Sequence, residues 1–491
     1  MAIVAGIDSS TQSCTVEIRD ADSGALLGRG SAPHPPTKPP VSEQDPEAWW
    51  TALAAALGSA CSAATTAAAA IDAIAVDAQC HSMVTLDQSD RVVRPAKLWN
   101  DTTSAPQAER LVRERGTDYW VKRVGSVLSP AFILTKLAWL AETEPANFVR
   151  VRTVLLPHDY LTWRLSGRFV TDRADASGTG YFSPRDSRWQ TDLLALASPS
   201  YDWTARLPEV LSPTESAGRA SREAIDTLGL RPDVVVGPGT GDQYASALGL
   251  GIRESDVVVG LGTSGVVFAV SPRAVEDRTG WVNGMADATG RFMPIVVSLN
   301  ATKVTDWVAR ILGVDLDALG ALALAAPEAA SAPVMAAFLD GERAPNRPYA
   351  RGILAGLTSA TTREQIARSA FEGVVLGLLR GVDAMATAGT DVSGRLIITG
   401  GGARGQAYRQ LLADLSGREV VVLDVPESSA RGACVQAAAV LRAADIGDVS
   451  EAWAPAPEVT ITPRGTPPLR QRERYARLAD WTGFDDPGIA G

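Results

Sequence analysis

The stretch Val236-Gly237-Pro238-Gly239-Thr240-Gly241-Asp242-Gln243-Tyr244 follows two further valines, a β-branched run that predicts a buried strand. Glycine then recurs at every second position around a proline, so the backbone leaves the strand and is able to approach another group closely. The small residues at 245–249 predict a helix. Asp242 therefore lies at a strand-to-helix junction, where α/β sheets bind ligands. The alternative is that Asp242 only caps the helix, a common role for aspartate.

The composition is that of an acidic, globular protein with more than one domain. The chain has 491 residues, more than a single hydrophobic core usually serves. It is 46% hydrophobic and 21% charged, and its net charge is −10. This charge argues against a nucleic acid or an anionic membrane as the main partner. It is compatible with phosphate ligands, because helix N-termini and backbone nests bind these without net positive charge.

The number and spacing of the cysteines and histidines argue against a zinc site. The four cysteines include no CxxC pair and the chain has three histidines, so we expect no zinc site, reduced thiols and a cytoplasmic location. The first residues lack a basic segment followed by a long apolar one, so no signal peptide is predicted. The alanine-rich run at 60–74 predicts a core-facing helix rather than a membrane span.

Two segments half a chain apart share a pattern of strand, small-residue turn and strand. In the first, strands at 3–6 and 15–19 flank Asp8-Ser9-Ser10-Thr11-Gln12-Ser13, and in the second a similar turn follows Val257-Val258-Val259-Gly260-Leu261. The repetition predicts a duplicated domain. Small residues leave backbone N–H groups and hydroxyls free to face an anion, which favours phosphate binding at both turns. The alternative is that the hydroxyls bond their own backbone.

The later half alternates strands and helices. A strand at 396–399 ends in Gly400-Gly401-Gly402, and a helix at 408–416 and a strand at 419–423 follow. Three glycines after a strand let a ligand lie against the backbone, as a nucleotide does, although a plain tight turn is the alternative. Beyond residue 450 the chain is rich in proline, with a charged helix at 470–481, and we expect this end to be peripheral.

Several motifs together resemble the FGGY carbohydrate kinases, and most closely the xylulokinases among them. The family's C-terminal signature is matched by residues 352–357 and 365–372, and its N-terminal signature by residues 136–140, although Ile133 stands where Pro, Ser or Thr is usual. Other family-like motifs are Trp99-Asn100-Asp101, Leu261-Gly262-Thr263-Ser264-Gly265, Gly341-Glu342-Arg343-Ala344-Pro345 and Gly400-Gly401-Gly402-Ala403-Arg404. Those typical of xylulokinases are Ser42-Glu43-Gln44-Asp45-Pro46, Gln79-Cys80-His81 and Thr240-Gly241-Asp242-Gln243.

This resemblance implies an α/β fold of two actin-like, ribonuclease-H-like ATPase domains with a cleft between them. The predicted divisions are a sugar-binding N-terminal domain at 1–235, a nucleotide-binding C-terminal domain at 236–445 and a C-terminal extension at 446–491. The implied reaction is ATP- and Mg²⁺-dependent phosphorylation of a ketopentose, with D-xylulose as the favoured acceptor and D-xylulose 5-phosphate as the product. The implied partners are the sugar and ATP, without nucleic acid or membrane, and a homodimer is one alternative for the assembly.

The resemblance also implies roles for individual residues. Asp242 would be the general base, and Cys80, His81 and Gln243 would bind the sugar with it. Asp8 would hold Mg²⁺. The residues implied to contact the nucleotide are Ser9, Ser10, Thr11, Gly262, Thr263, Gly400, Gly401 and Gly402.

Two departures from the family pattern bear on these roles. Thr15 stands where a lysine is common, which removes a cation near the phosphates, and Ser82 replaces the glycine usual after the histidine. Asp101 is open to a helix-capping role or a sugar contact. Three alternative functions remain at this point: a kinase for another ketose or a polyol, of the ribulose type, a sugar or nucleotide sensor without turnover, and an actin-like structural or chaperone ATPase. The Gln79-Cys80-His81 motif argues against the third.

Overall fold

The computed structural model describes residues 2–198, 202–203, 206–327, 332–423, 425–483 and 485. The strands are β1 (Ile3–Ser9), β2 (Ser13–Asp20), β3 (Leu26–Pro33), β4 (Glu43–Gln44), β5 (Ala73–Ala78), β6 (Val84–Leu86), β7 (Ala96–Lys97), β8 (Thr153–Leu155), β9 (Val170–Asp172), β10 (Phe182–Ser183), β11 (Arg188–Trp189), β12 (Glu209–Leu211), β13 (Gly218–Arg219), β14 (Val235–Val236), β15 (Thr240–Gly241), β16 (Val257–Leu261), β17 (Gly265–Ala269), β18 (Asn283–Ala286), β19 (Phe292–Ser298), β20 (Val334–Ala336), β21 (Ile353–Ala355), β22 (Leu396–Thr399), β23 (Val420–Leu423) and β24 (Pro457–Ile461).

The helices are α1 (Pro46–Ala63), α2 (Ala105–Arg115), α3 (Thr117–Val124), α4 (Ile133–Thr143), α5 (Pro145–Phe148), α6 (Pro157–Ser166), α7 (Arg173–Ala176), α8 (Thr191–Leu194), α9 (Arg222–Leu228), α10 (Asp242–Gly249), α11 (Thr302–Leu312), α12 (Leu316–Ala325), α13 (Arg363–Thr387), α14 (Gln406–Ser416), α15 (Ser428–Arg442), α16 (Ile446–Ala452) and α17 (Leu469–Ala479).

Two mixed sheets form the centres of two lobes and have related topologies. The first has the order β13-β14-β5-β1-β2-β3, with β15 also pairing with β5. The second has the order β18-β19-β17-β16-β22-β23-β24. In each, an antiparallel hairpin (β1–β2 or β16–β17) pairs through its first strand with a parallel strand (β5 or β22). The predicted duplication is thus confirmed, and the strands predicted around both turns are present.

Helices on both faces bury the apolar strands, which is why strands such as β1, β5 and β16 are apolar over most of their length. Helix α1 covers β2 and β3, and the long helix α13 packs against β17 and β19 in the second lobe. Helix α15 follows β23 of the second sheet in the chain but packs against β1, β5 and α10 of the first lobe. The two lobes are therefore joined by the adjacent helices α10 and α15.

Close approach of α10 and α15 depends on glycine. A Cβ atom at Gly249 would lie 2.0 Å from the Ser428 carbonyl oxygen, and one at Gly432 would lie 1.8 Å from the Ala245 carbonyl oxygen. Both distances are shorter than any real contact, so these positions admit no side chain without separation of the helices.

Two sequence-based expectations are wrong. The helix expected over 60–74 ends at Ala63, and only a 3-10 turn at Ala68–Ala70 follows before β5. Residues 62–70 are exposed or half-buried, because an alanine run has no apolar stripe to pack. The end of the chain is also not peripheral, since β24 pairs with β23 and Tyr475 of α17 is buried in the second core.

No helix among the described residues is both long and apolar enough to cross a membrane. The domain divisions at 235/236 and 445/446 remain predictions. The first division falls within β14, which pairs with β5 as β15 does.

Candidate active site

Asp242 is the first residue of α10, directly after β15. The N-cap position belongs to Gly241, and no side chain caps this helix end. Asp242 is therefore not the helix cap that the alternative interpretation required. Because β15 pairs with the end of β5, the Asp242 carboxylate lies at the carboxyl edge of the first sheet.

The Asp242 carboxylate is held by its neighbours on one oxygen. The Cys80 thiol donates to Asp242 Oδ1 at 3.2 Å, and the backbone N–H of Gln243 donates to the same oxygen at 2.8 Å. Burial raises the pKa of Cys80 well above its usual range, so this group stays a thiol and donates. Burial also raises the pKa of Asp242, which makes its carboxylate a stronger proton acceptor than an exposed one.

Asp8 and Asp77 form an acidic pair beside Asp242. They are register partners on the parallel strands β1 and β5, so their side chains share one face of the sheet. Burial, with a contribution from Asp242, raises the pKa of Asp8 to about 7, against the lowering effect of a hydrogen bond from Ser10. Asp77 is fully buried. With both carboxyl groups charged, neither of its oxygens has a donor among the described residues, and a proton shared with Asp8 would join the pair.

His81 is fixed in an unusual backbone conformation. Its φ of 58° lies in the left-handed region that non-glycine residues seldom adopt. The buried Lys136 donates to the His81 carbonyl oxygen and, at 2.7 Å, to that of Ala131. The imidazole stacks on Phe132, with ring centroids 5.8 Å apart. Burial lowers the pKa of His81 to about 3, so the ring is neutral and offers one donor and one acceptor.

A buried polar layer lies behind Cys80 and His81. His81 Nδ1 is 3.8 Å from Asp175 Oδ1, and His158 Nε2 is 3.6 Å from Asp175 Oδ2. Asp175 is fully buried, and burial followed by the charge of Asp172 raises its pKa well above the usual range. Burial thus disfavours the charged forms of His81, His158 and Asp175, and several of their polar atoms have no hydrogen-bond partner among the described residues.

The first hairpin tip is anchored by amide side chains. Gln44 donates to the Thr11 carbonyl oxygen at 2.9 Å, and the Thr11 hydroxyl donates to Gln79 Oε1 at 3.3 Å. The Trp99 indole donates to the Thr11 hydroxyl at 2.9 Å. The family-like motifs around residues 44, 79 and 99 therefore hold the tip in place.

The tip hydroxyls predicted to contact phosphate differ in their surroundings. The Ser10 hydroxyl donates to Asp8 Oδ1 at 2.7 Å, whereas Ser9 is fully buried and its hydroxyl lies 3.2 Å from His34 Nε2. The role of these residues stays a prediction, in which Ser9 would contribute its backbone and Ser10 a hydroxyl.

A cavity of about 700 Å³ lies in the second lobe, at the tip of the β16–β17 hairpin. Gly262, Thr263, Gly401 and Gly402 line it, and Gly400 turns the chain behind them with a φ of 87°. Its remaining wall includes Thr302, Thr305, Asp306, Phe371, Gln406 and Tyr408. The structure therefore brings together the residues predicted to contact the nucleotide on this lobe, in a space of the size of a small-molecule site.

Two other motifs have structural roles. Asp101 is fully buried, forms an ion pair with Lys97 at 3.1 Å, and accepts from the Ser42 N–H at 2.9 Å. These bonds hold the loop around Asp101, and the N-cap of α2 is Ser104, so Asp101 does not have the helix-capping role either. The Glu342 carboxylate accepts hydrogen bonds from the Ser298 hydroxyl and the Leu299 N–H, both at 2.8 Å. These bonds fix the loop that carries Arg343.

Sequence reasoning missed several residues of the site. Asp77 had a visible signal, an acid near the end of an apolar strand, but only the sheet order shows that it faces Asp8. Lys136 belongs to the family's N-terminal signature, but its contact with His81 was not foreseen because the two are 55 residues apart. Asp175 had no signal, since it is 94 residues from His81.

Comparisons with known proteins agree with this geometry. The model of the FGGY family of carbohydrate kinases, N-terminal domain, matches residues 3–249, and that of the C-terminal domain matches residues 257–441. The xylulose kinase of Streptomyces coelicolor is 42% identical over 454 residues, which are 92% of this chain and 90% of that protein. The xylulose kinase of Haemophilus influenzae is 31% identical over 441 residues, 88% of this chain and 89% of that one.

Solved structures resemble both lobes together. The xylulose kinase from Bifidobacterium adolescentis superposes with a TM-score of 0.87 at 35% identity, covering 97% of this chain and 99% of that one. That from Rhodospirillum rubrum gives 0.86 at 26% identity, covering 97% and 96%. These matches confirm the expected fold of two actin-like α/β domains. With both family domains matched in order along one chain, this protein belongs to the FGGY family of carbohydrate kinases.

Proposed function

We propose that this protein transfers the terminal phosphate of ATP to D-xylulose, giving D-xylulose 5-phosphate, with Asp242 as the general base. The observation that carries the proposal is the Asp242 carboxylate, oriented by the Cys80 thiol beside His81 and Asp8. The names of the relatives support xylulose as the acceptor. Ribulose and polyols are the competing acceptors.

Phosphoryl transfer is catalysed mainly by positioning and by neutralisation of charge. Asp242 Oδ1 already accepts two hydrogen bonds, so Oδ2 is the oxygen that would accept the proton of the attacking sugar hydroxyl. Its raised pKa improves the match between the base and the operating pH. The position of the base at the edge of the first sheet places it beside the Asp8 tip, where the phosphates would lie.

The sugar would contact Cys80, His81, Asp242 and Gln243. A neutral His81 ring, held by Lys136 and Phe132, offers a donor and an acceptor in fixed directions, which suits the hydroxyls of a sugar. Rigid placement matters because a near-attack geometry supplies much of the rate enhancement in enzymes. The nucleotide would occupy the cavity at the second hairpin tip, with its phosphates toward Ser10, Thr11 and Thr263.

Mg²⁺ fits the acidic pair at the first tip. Asp8 and Asp77 are oxygen donors, and the unpartnered oxygens of Asp77 lack a compensating cation within the described residues. Within that same part of the chain, no group of three or more His, Cys, Asp or Glu side chains could hold a metal ion. Mg²⁺ commonly keeps waters and phosphate oxygens as its other ligands, so few protein ligands suffice. Bound there, Mg²⁺ would neutralise charge on the phosphates.

The remaining parts of the proposal concern setting and assembly. Four free, buried cysteines fit a reducing cytoplasm. The proposal needs no nucleic acid or membrane partner, and a homodimer is an assembly that sedimentation would test.

An acceptor panel combined with Asp242→Asn tests the function. We expect ATP- and Mg²⁺-dependent phosphorylation of D-xylulose with a higher kcat/KM than of ribulose, other ketoses or polyols. Asp242→Asn keeps the hydrogen bonds to Oδ1 but loses the base, so kcat should fall by about 10²–10⁴-fold. A coupled ADP-release assay measures both, with circular dichroism as the folding control.

If another acceptor gave a higher kcat/KM than D-xylulose, that acceptor would be the substrate instead of D-xylulose. An Asp242→Asn variant with most of the original kcat would show that Asp242 is not the base. Binding of sugar and nucleotide by calorimetry without any product would instead favour the sensor alternative.

A further inference from the structure

Gln436 of α15 contacts the turn that carries the proposed base. Its Oε1 accepts from the Gly239 N–H at 3.0 Å, and its Nε2 donates to the Gly239 carbonyl oxygen at 3.0 Å. Gln436 is 1% exposed and lies 197 residues from Gly239 along the chain. One side-chain amide therefore satisfies both backbone groups of the same glycine, as a neighbouring strand would.

The turn needs such a partner because its own backbone supplies few bonds. Gly237 donates to the Ile74 carbonyl oxygen at 2.8 Å, and pairing with β5 resumes only at Thr240. Pro238 between them has no N–H to donate. Gly239 has a φ of 79°, a conformation that costs glycine little but that glycine alone does not enforce. The Gln436 amide therefore fixes the backbone at Gly239, the residue of the turn with the greatest conformational freedom.

Other contacts from α15 reach the same segment. The Ser429 hydroxyl donates to the Asp242 carbonyl oxygen at 3.1 Å, and the Ser428 and Ser246 hydroxyls are 2.8 Å apart. The start of α10 is thus held by α15, which packs beside it on the first lobe. Among the described residues, both side-chain hydrogen bonds of Gln436 go to Gly239, and Gln436 does not line the cavity of the second lobe.

We propose that Gln436 is a positioning residue for Asp242, which sets the direction of the base through the Gly239 peptide. The inference rests on the role proposed for Asp242. Gln436 has no part in the chemistry itself. Its effect should therefore appear in turnover more than in the binding of either substrate.

Gln436→Met tests this role, because it keeps an unbranched side chain of similar length and removes both hydrogen bonds. We expect kcat to fall by about 10–100-fold, since small misplacement of a catalytic group has effects of this size. The KM values for sugar and ATP should stay within about threefold. Hydrogen exchange should show faster exchange in residues 236–244, with protection elsewhere unchanged.

Gln436→Glu gives an intermediate case and a second variant should Gln436→Met fold poorly. Its protonated carboxyl group can still accept from the Gly239 N–H and donate to the carbonyl oxygen, whereas the charged form would be buried against that oxygen, so we expect a decrease in kcat of about 3–10-fold that grows as pH rises. Ser450→Ala is the matched control. Ser450 donates to the Leu248 carbonyl oxygen at 2.8 Å, a buried bond at the other end of α10, and kcat should change less than twofold.

Wild-type kcat in folded Gln436→Met would overturn the inference, and so would an equal loss in Ser450→Ala. The double variant with Asp242→Asn separates this result from the proposed function. If Gln436 acts through Asp242, Gln436→Met should cause little further loss in that background. An active Asp242→Asn protein would refute the base assignment, whereas an inactive one beside a fully active Gln436→Met protein would refute the positioning role alone.

Discussion

The two hairpin tips have the same backbone plan and different chemistry. In the first, β1 brings Asp8 to the tip, and in the second, the corresponding residue after β16 is Gly262. Asp8 is 8% exposed and lies beside the buried Asp77, whereas Gly262 is exposed at the mouth of the 700 Å³ cavity. One copy of the duplicated unit thus contributes negative charge and the other contributes space. An acid in the second tip would occupy the volume that a nucleotide needs.

The largest expected effect is the loss of the charge at the first tip. We expect Asp8→Asn to lower kcat/KM by about 10²-fold or more, because an amide is a much poorer Mg²⁺ ligand than a carboxylate. Mg²⁺ titrations of activity, and of nucleotide binding by calorimetry, should both shift to higher concentration. An unchanged Mg²⁺ dependence would remove Asp8 from the metal site.

The same variant should be more stable than the wild type when ligands are absent. The pKa of Asp8 is raised from 3.8 to about 7, so the folded protein holds this proton more tightly than the unfolded chain. The stability contribution is therefore full below pH 4 and lost as pH rises to about 7. At pH 8, Asp8→Asn should raise the free energy of unfolding by about 2–4 kcal/mol, and at pH 4 by almost nothing.

Urea unfolding at pH 4 and pH 8, without nucleotide or metal, measures this difference. Equal stability of the two proteins at pH 8 would show that the Asp8 carboxylate is not an uncompensated buried charge.

A smaller effect is expected from filling space at the second tip. A Cβ atom at Gly401 would meet no protein atom within 4 Å, so Gly401→Ala should fold normally while its methyl group enters the cavity. We expect the KM for ATP to rise about five- to tenfold, or about 1 kcal/mol, with the KM for the sugar unchanged. Steady-state kinetics at varied ATP checks this.

Gly58→Ala is the control for this substitution, since its added Cβ also meets nothing within 4 Å and lies on α1, far from the cavity. A rise in the sugar KM of Gly401→Ala, or an equal rise in the ATP KM of Gly58→Ala, would contradict the assignment of the cavity.

The smallest effect is expected from restoring a cation at the first tip. Thr15 is the cross-strand partner of Asp8, and its hydroxyl makes only a 3.5 Å contact with Ser31. Thr15→Lys should lower the KM for ATP by about two- to fivefold at low salt, from roughly 1 kcal/mol of charge attraction. An ATP titration at two ionic strengths measures this, and a decrease that persists at high salt would argue against an electrostatic cause.

Local pattern was enough to predict the strands around both hairpin tips, the buried strands β5, β22 and β23, and the glycine-rich turn after β22. These features depend on neighbours within a few residues, on β-branched runs and on turn chemistry. The helix expected beyond Ala63 failed because alanine favours a helix without requiring one, and no apolar stripe existed to pack it. The terminal strand β24 was missed because its partner β23 is a sheet edge that only the fold exposes.

The residues of the active site also divide into those that local sequence predicts and those that depend on contacts between distant parts of the chain. Asp8 and Asp242 were predicted from junctions and turns, and the structure places both at the carboxyl edge of the first sheet. Cys80 was predicted as a sugar contact, but its bond to Asp242 joins residues 162 positions apart. The role of Gln436 could not be predicted, since the sequence does not show that its helix packs against Gly239.

The contact between α10 and α15 also limits how the protein could be engineered. Replacing helical glycines by alanine often stabilises a protein, because alanine restricts the unfolded chain. That strategy fails at Gly249 and Gly432, where a methyl group would collide with a carbonyl oxygen of the opposite helix. A more heat-resistant form of the enzyme would have to gain its stability away from this pair of helices.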